Sequence, residues 1–143
     1  MTDDIGAAPA PRWFTIAAIA ALLWVLLGCA NYLMWVTADP ATLPADMLSI
    51  YNATPKWVVA AFAVAVWSGL AGAVVLLMRR RIAEPLLLVS FLALLVQNSA
   101  WLVVPALRDL VNSDDLLLPF VITIVCYIIW HFARVSRKRG WLR

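Results

Sequence analysis

A chain of 143 residues that is 65% hydrophobic and only 13% charged does not match a water-soluble globule, which runs nearer half apolar and needs more charge to coat its surface. Its mean hydropathy of +0.92 favours a bilayer. The net charge of +3 does not point to nucleic acid, because the cations gather at the ends of apolar runs and not on one face interleaved with aromatics.

Four apolar runs reach the roughly 20 residues that a helix needs to cross the hydrocarbon core. They predict an all-α integral membrane four-helix bundle forming one domain over 1–143. Residues 1–11 are small, polar and Pro-containing, with nothing to bury, and are expected to form a disordered cytoplasmic tail. The first span covers about 13–36. Asp3, Asp4 and the single cation Arg12 precede it where a secretory signal would carry a basic region, and the run exceeds a typical signal core, so it reads as uncleaved. Trp13 and Trp35 stand near its ends, at headgroup depth, and Asp39-Pro40 closes it.

In the connection over 37–56, Pro44-Ala45-Asp46 followed by Met47, Leu48, Ile50 and Tyr51 predicts a short interfacial helix opened by proline, capping the bundle. The second span, about 55–78, carries Ala61, Ala65, Gly69 and Ala73 at every fourth position, with Ser68 and Gly72 as a second small pair. Helices in lipid associate where small side chains let backbones approach, so this span is expected to be the most closely packed. The turn Arg79-Arg80-Arg81 follows.

The third span, about 84–107, has Pro85 in its first turn and Glu84 at its start, near enough to pair with Arg79–Arg81. An acidic loop precedes a fourth span, about 116–133, and a basic tail, 134–143, contains Arg134, Arg137, Lys138, Arg139 and Arg143. Nine of the eleven Lys and Arg residues fall on the side of the Arg79–Arg81 turn and the two termini; only Lys56 and Arg108 fall opposite, with five aspartates. By the positive-inside bias, Arg79, Arg80, Arg81, Arg137, Lys138 and Arg139 set the topology, with both termini cytoplasmic and anionic lipid headgroups as neighbours.

The spans hold no ionisable cluster of the kind that catalysis or ion coupling uses. His131, the one histidine, has no carboxylate near it in sequence, and is read as serving the carbonyls at the end of the fourth helix. Cys29 and Cys126 lie singly in apolar runs and read as small buried hydrophobes; no catalytic, metal or cofactor set is expected. The small multidrug-resistance transporters use a glutamate in the first helix, and here that helix has none.

Uncharged polar groups remain. Asn31 and Tyr32 with Trp35, Ser68 with Trp67, Gln97-Asn98-Ser99 with Trp101, and Thr123 with Tyr127 are spread over all four spans. At roughly 1.5 Å per residue, Asn31, Gln97, Asn98, Ser99 and Thr123 lie about 8–16 Å below the outer surface. Asn31, Tyr32, Ser68, Gln97, Asn98, Trp101, Thr123 and Tyr127 are therefore the candidate binding residues for a neutral polar solute such as a sugar; interhelical hydrogen bonding is the competing role. Asn31…Trp35 and Gln97…Trp101 also repeat a four-residue spacing, a faint echo between two hairpins.

Trp24 with Gly28, Tyr51…Thr54-Pro55-Lys56-Trp57, Arg80-Arg81…Pro85-Leu86, Val96-Gln97-Asn98 and Arg139-Gly140-Trp141-Leu142 run over nearly the whole chain. In these short motifs it resembles a family of small four-helix inner-membrane proteins of Gram-negative bacteria, often loosely labelled sugar transporters. The resemblance implies a multi-pass inner-membrane location and raises solute transport as an expectation. A carrier with four helices would work as a homo-oligomer; the alternative is a non-catalytic accessory subunit, docking a larger membrane partner through the small-residue face. The topology predicts that a reporter active only in the periplasm is silent when fused after Arg143, while one active only in the cytosol reports; the reverse pattern would overturn it.

Overall fold

The computed structural model describes residues 9–143, and among these the regular structure is entirely helical. The helices are α1 (Arg12–Val36), α2 (Ala45–Ala53), α3 (Lys56–Leu77), α4 (Ala83–Val103), α5 (Pro105–Leu110) and α6 (Leu117–Lys138), with short 3₁₀ turns at Pro40–Thr42 and Ser113–Leu116. Four of them, α1, α3, α4 and α6, are long and apolar enough to cross a membrane. Proline punctuates this series where a missing N–H costs little. Pro11, Pro44 and Pro55 stand directly before α1, α2 and α3; Pro105 opens α5; Pro85 and Pro119 fall in the first turns of α4 and α6.

The α3–α4 hairpin is the axis of the bundle, with α1 laid on α3 and α6 on α4. Its closeness depends on glycine. A Cβ at Gly69 would fall 2.8 Å from Ser90 Oγ, and one at Gly72 would fall 2.8 Å from Leu87 Cγ and 3.2 Å from the Leu87 backbone nitrogen. Ser90 Oγ, brought this near, donates to the Ala65 carbonyl across the interface at 2.6 Å. Of the expected small-residue face, Ala65, Gly69, Gly72 and Ala73 are buried and Ala61 is half-buried. Ser68 departs from it, since its hydroxyl turns back to the Val64 carbonyl of its own helix.

The backbones of α1 and α6 stay apart along most of their length. They meet through side chains at the end that carries the Arg79–Arg81 turn, where Phe14 and Phe132 lie 5.4 Å apart between ring centres. The main core cluster is here, with Phe14, Leu76, Leu87, Ala133 and Leu142 among its buried members. At the opposite, acidic end a smaller cluster of Val58, Ala100 and Leu107 is covered by Ile50 and Ala53 of α2. The short helix expected after Pro44 is thus present and closes that end.

Three expectations are corrected. The third span does not run to Leu107: Pro105 has no N–H to give, and Val104 before it takes an extended conformation (φ −92°, ψ 108°), so the helix stops at Val103 and restarts as α5. The fourth helix does not stop at Ala133 but continues through Lys138, which places His131 inside it, its ring against Tyr127 and not at a helix end. Glu84 pairs with Arg137, at 2.7 Å, and not with the turn. Of the tail expected over 1–11, residues 1–8 lie outside the described residues, while Ala10 packs against the main cluster.

The basic segment after Ala133 is also no loose tail. Gly140, at φ 74°, reverses the chain after α6, and its N–H and that of Trp141 donate to the carbonyls of Arg137 and Ser136 at 3.1 and 3.0 Å. The same left-handed reversal ends α3, with Arg79 at φ 58° taking the place that glycine usually fills. The two reversals meet: Arg81 N–H donates to the Arg143 carbonyl at 2.8 Å, and Arg143 N–H donates to the Arg79 carbonyl at 2.6 Å. Leu142 between them is fully buried.

Gly72→Ala is expected to destabilise the protein by about 1–3 kcal/mol, because the added methyl meets backbone as well as a side chain. Gly28→Ala, whose Cβ would have 3.9 Å to its nearest neighbour, Val66 Cγ1, is expected to be near neutral. Unfolding of both variants in mixed micelles checks the contrast.

Candidate functional site

Because α1 and α6 separate beyond their aromatic contact, the acidic half of the bundle is not filled by side chains. A cavity of about 330 Å³ lies there, bounded by all four long helices and capped by Ile50 of α2 and Leu107 of α5. Helical periodicity explains its walls. On α1, Trp24, Gly28, Asn31 and Trp35 follow one another at spacings of three and four, and so share a face; on α4, Ser90, Leu94, Gln97 and Trp101 do the same. Phe62 and Val66 of α3 and Ile122 and Cys126 of α6 complete the circuit. Gly28 leaves a gap on α1, and that gap adds to the space.

The polar groups are few and lie close in height. Asn31 is the most exposed of the three amides on the wall; Gln97 and Asn98 are half-buried. Successive residues diverge by about 100° around a helix, and the two adjacent amides have different fates. Asn98 Nδ2 donates to Thr123 Oγ1 at 2.7 Å, and that hydroxyl in turn donates to the Pro119 carbonyl at 2.8 Å, tying α4 to α6. Gln97 Oε1 is buried and has no hydrogen-bond partner among the described residues. An acceptor left unmade in an apolar setting costs about 1–3 kcal/mol, which a bound hydroxyl or N–H would recover.

Of the residues expected to bind a solute, Asn31, Gln97, Asn98 and Trp101 line this one cavity. Thr123 stands behind the wall as the partner of Asn98. Three are elsewhere. Tyr32 packs edge-on against Phe62, 5.2 Å between ring centres. Ser68 is spent on its own helix, where a serine hydroxyl commonly reaches the carbonyl one turn back. Tyr127 faces outward among Phe91, Trp130 and His131. Both members of the weak internal echo, Asn31…Trp35 and Gln97…Trp101, do lie on the wall.

Sequence reasoning missed Trp24, Phe62, Ser90 and Cys126 as wall residues. The signal was the stripe at spacings of three and four through the amides, which would have extended each amide pair down its helix to Trp24 and Ser90. Ser90 had a second claim on it, the Ala65 carbonyl, which no spacing shows.

No carboxylate, histidine, lysine or arginine among the described residues lines the cavity. Among the described residues, no group of histidine, cysteine, aspartate or glutamate side chains gathers to hold a metal ion. What the arrangement can do is hold an uncharged molecule by ring contact and by hydrogen bonds to amides. Comparison with family models, with curated proteins and with solved structures returns no match for the chain, so the geometry alone carries the functional reading.

The two amides predict opposite outcomes. Asn98→Leu is expected to lower stability by about 0.6 kcal/mol, and at most roughly 1.7, the usual worth of an interhelical hydrogen bond in lipid. Gln97→Leu is expected to leave stability unchanged or raise it, since it removes an unpartnered acceptor. Equal destabilisation by both would mark Gln97 as part of the bundle's internal bonding.

Proposed function

We propose that the chain is a multi-pass protein of the bacterial inner membrane, termini in the cytoplasm, that binds an uncharged amphipathic molecule in the half of the bundle nearer the outer surface. It is a non-catalytic binder or carrier. One observation carries the reading: a cavity, mostly apolar, whose buried polar group Gln97 Oε1 has no hydrogen-bond partner among the described residues. The charge distribution supports the orientation, since Arg12, the Arg79–Arg81 turn and the basic end of α6 share one end of the bundle.

The lining narrows the class. A free sugar presents a hydroxyl at nearly every carbon, and each would need a partner out of water. The wall offers Asn31, Gln97 and one face of Asn98, while the hydroxyls of Thr54 and Ser90 are already bonded to the carbonyls of Ile50 and Ala65. An apolar body with one hydroxyl end fits this supply better than a polyol does. The accessory-subunit reading loses its main surface, because Gly69 and Gly72, the centre of the small-residue face, are covered by Ser90 and Leu87 of the chain itself.

Decanol and glucose are the discriminating probes for purified protein in nanodiscs, with thermal unfolding and tryptophan fluorescence as readouts. Decanol is expected to raise the unfolding midpoint and decane and glucose to leave it unchanged. Gln97→Leu should weaken decanol binding roughly threefold to tenfold, the worth of one net hydrogen bond. Gly28→Leu, which fills the gap on α1, should abolish it. A response to glucose alone would restore the sugar reading, and a decanol response equal in all variants would place binding outside the cavity.

A further inference from the structure

The Arg79–Arg81 end carries a second depression, of about 380 Å³, on the outside of the bundle between the start of α4 and the end of α6. Arg81, Arg134, Arg137 and Lys138 line it with a single carboxylate, Glu84. We propose that this depression is a binding site for a phosphate-bearing anion, and specifically for the phosphodiester headgroup of an anionic phospholipid. The proposal is independent of the cavity and of what occupies it.

Charge balance is the first argument. Four cations face one carboxylate, and the Glu84–Arg137 pair is the one ion pair among the described residues. Like charges held this close repel unless an anion sits among them, and at a membrane surface the abundant anion is a lipid phosphate. The second argument is that three of the four cations are held in place, Arg81 and Arg134 by contacts other than carboxylates. Arg81 Nε donates to the Leu142 carbonyl at 3.4 Å, which anchors one edge of the guanidinium and leaves the other two nitrogens to an incoming oxygen. Arg134 lies over the Trp130 ring at 5.4 Å, and Arg137 is fixed by Glu84 at 2.7 Å. Guanidinium groups pre-positioned in this way suit the paired oxygens of a phosphate.

What lies below the depression favours a lipid over free phosphate. Phe91 of α4 packs with Tyr127 and Trp130 of α6, 5.8 and 6.4 Å between ring centres, forming an aromatic run along the α4–α6 seam. Ile124 and Ile128 continue an exposed apolar surface on α6. A headgroup seated among the cations would lay its acyl chains on this seam. The segment over 134–138 therefore does more than bias orientation: its helical continuation from α6 gives Arg134, Arg137 and Lys138 a common face at spacings of three and four.

Native mass spectrometry of the full chain, released from micelles supplied with equal phosphatidylglycerol and phosphatidylcholine, tests this. The wild type is expected to retain phosphatidylglycerol preferentially. In the double variant Arg134→Gln, Lys138→Gln that preference should fall roughly 30-fold, about 2 kcal/mol at 1.4 kcal/mol per tenfold, as expected for two cations near a headgroup. Arg108→Gln, at the opposite end, should leave it unchanged, and the exchange Arg134→Lys, Lys138→Arg should largely keep it. Circular dichroism confirms that each variant is folded. Competition by inorganic phosphate at matched concentration would identify free phosphate as the source of the same chemistry. Unchanged preference in the double variant, or equal loss in Arg108→Gln, would overturn the proposal.

Discussion

The close approach of α3 and α4 sets everything else in the molecule. In lipid there is no hydrophobic drive between helices, so a tight pair forms only where backbones can come near and polar groups can cross. Gly69 and Gly72 supply the first condition, and the Ser90 hydroxyl on the Ala65 carbonyl supplies the second. With that hairpin as the axis, α1 has α3 to lie on and α6 has α4. Side chains join α1 to α6 at the basic end, where Trp13 and Phe14 meet Phe132, and again at mid-height, where Trp24 reaches Cys126. The open half lies beyond these contacts, where Gly28 offers little bulk to fill the space between the two outer helices.

The basic end is itself overdetermined. The reversal at Arg79 and the reversal at Gly140 present their backbones to each other, and two hydrogen bonds between residues 79–81 and Arg143 close the contact over buried Leu142. A left-handed non-glycine residue is tolerated at Arg79 because this contact and the Schellman bonds hold it. The result is a rigid cationic base with an apolar, partly hollow upper half. Buried polar atoms without a hydrogen-bond partner among the described residues occur at both ends, Gln97 Oε1 on the cavity wall and Trp130 Nε1 and Ser136 Oγ toward the basic end.

The fold was largely legible from the residues. Four apolar runs gave four long helices, and the Pro44 segment gave α2. The errors came from local rules set aside in favour of hydropathy. Pro105 sits within a continuous apolar run, so the helix was carried through it; the residue before a proline avoids the helical region, and the chain breaks there. The helix past Ala133 was cut short because its residues turn basic, although arginine and lysine are good helix formers and the break needed the glycine at 140. The site was half legible. Distance along the chain places Asn31, Gln97, Asn98, Ser99 and Thr123 at one depth, and of these Asn31, Gln97 and Asn98 line the cavity together with Trp101. Facing is not read this way: Tyr32, Ser68 and Tyr127 sit within a helical turn of true wall residues or their partners and point elsewhere. The pairing of Asn98 with Thr123 and the lack of a partner for Gln97 depend on how α4 and α6 are rotated, which the sequence does not encode one helix at a time.

Gln97 is the sole glutamine of the chain, so its side chain can be watched alone. Selective ¹⁵N-glutamine labelling with isotope-filtered NMR on the micelle-embedded protein, with decanol added, tests the central claim. The account predicts that the Gln97 amide protons show nuclear Overhauser contacts to the added alcohol and none that mark a hydrogen-bonded protein partner. Contacts from Gln97 to the Asn31 side chain across a collapsed cavity, with none to the alcohol, would contradict it.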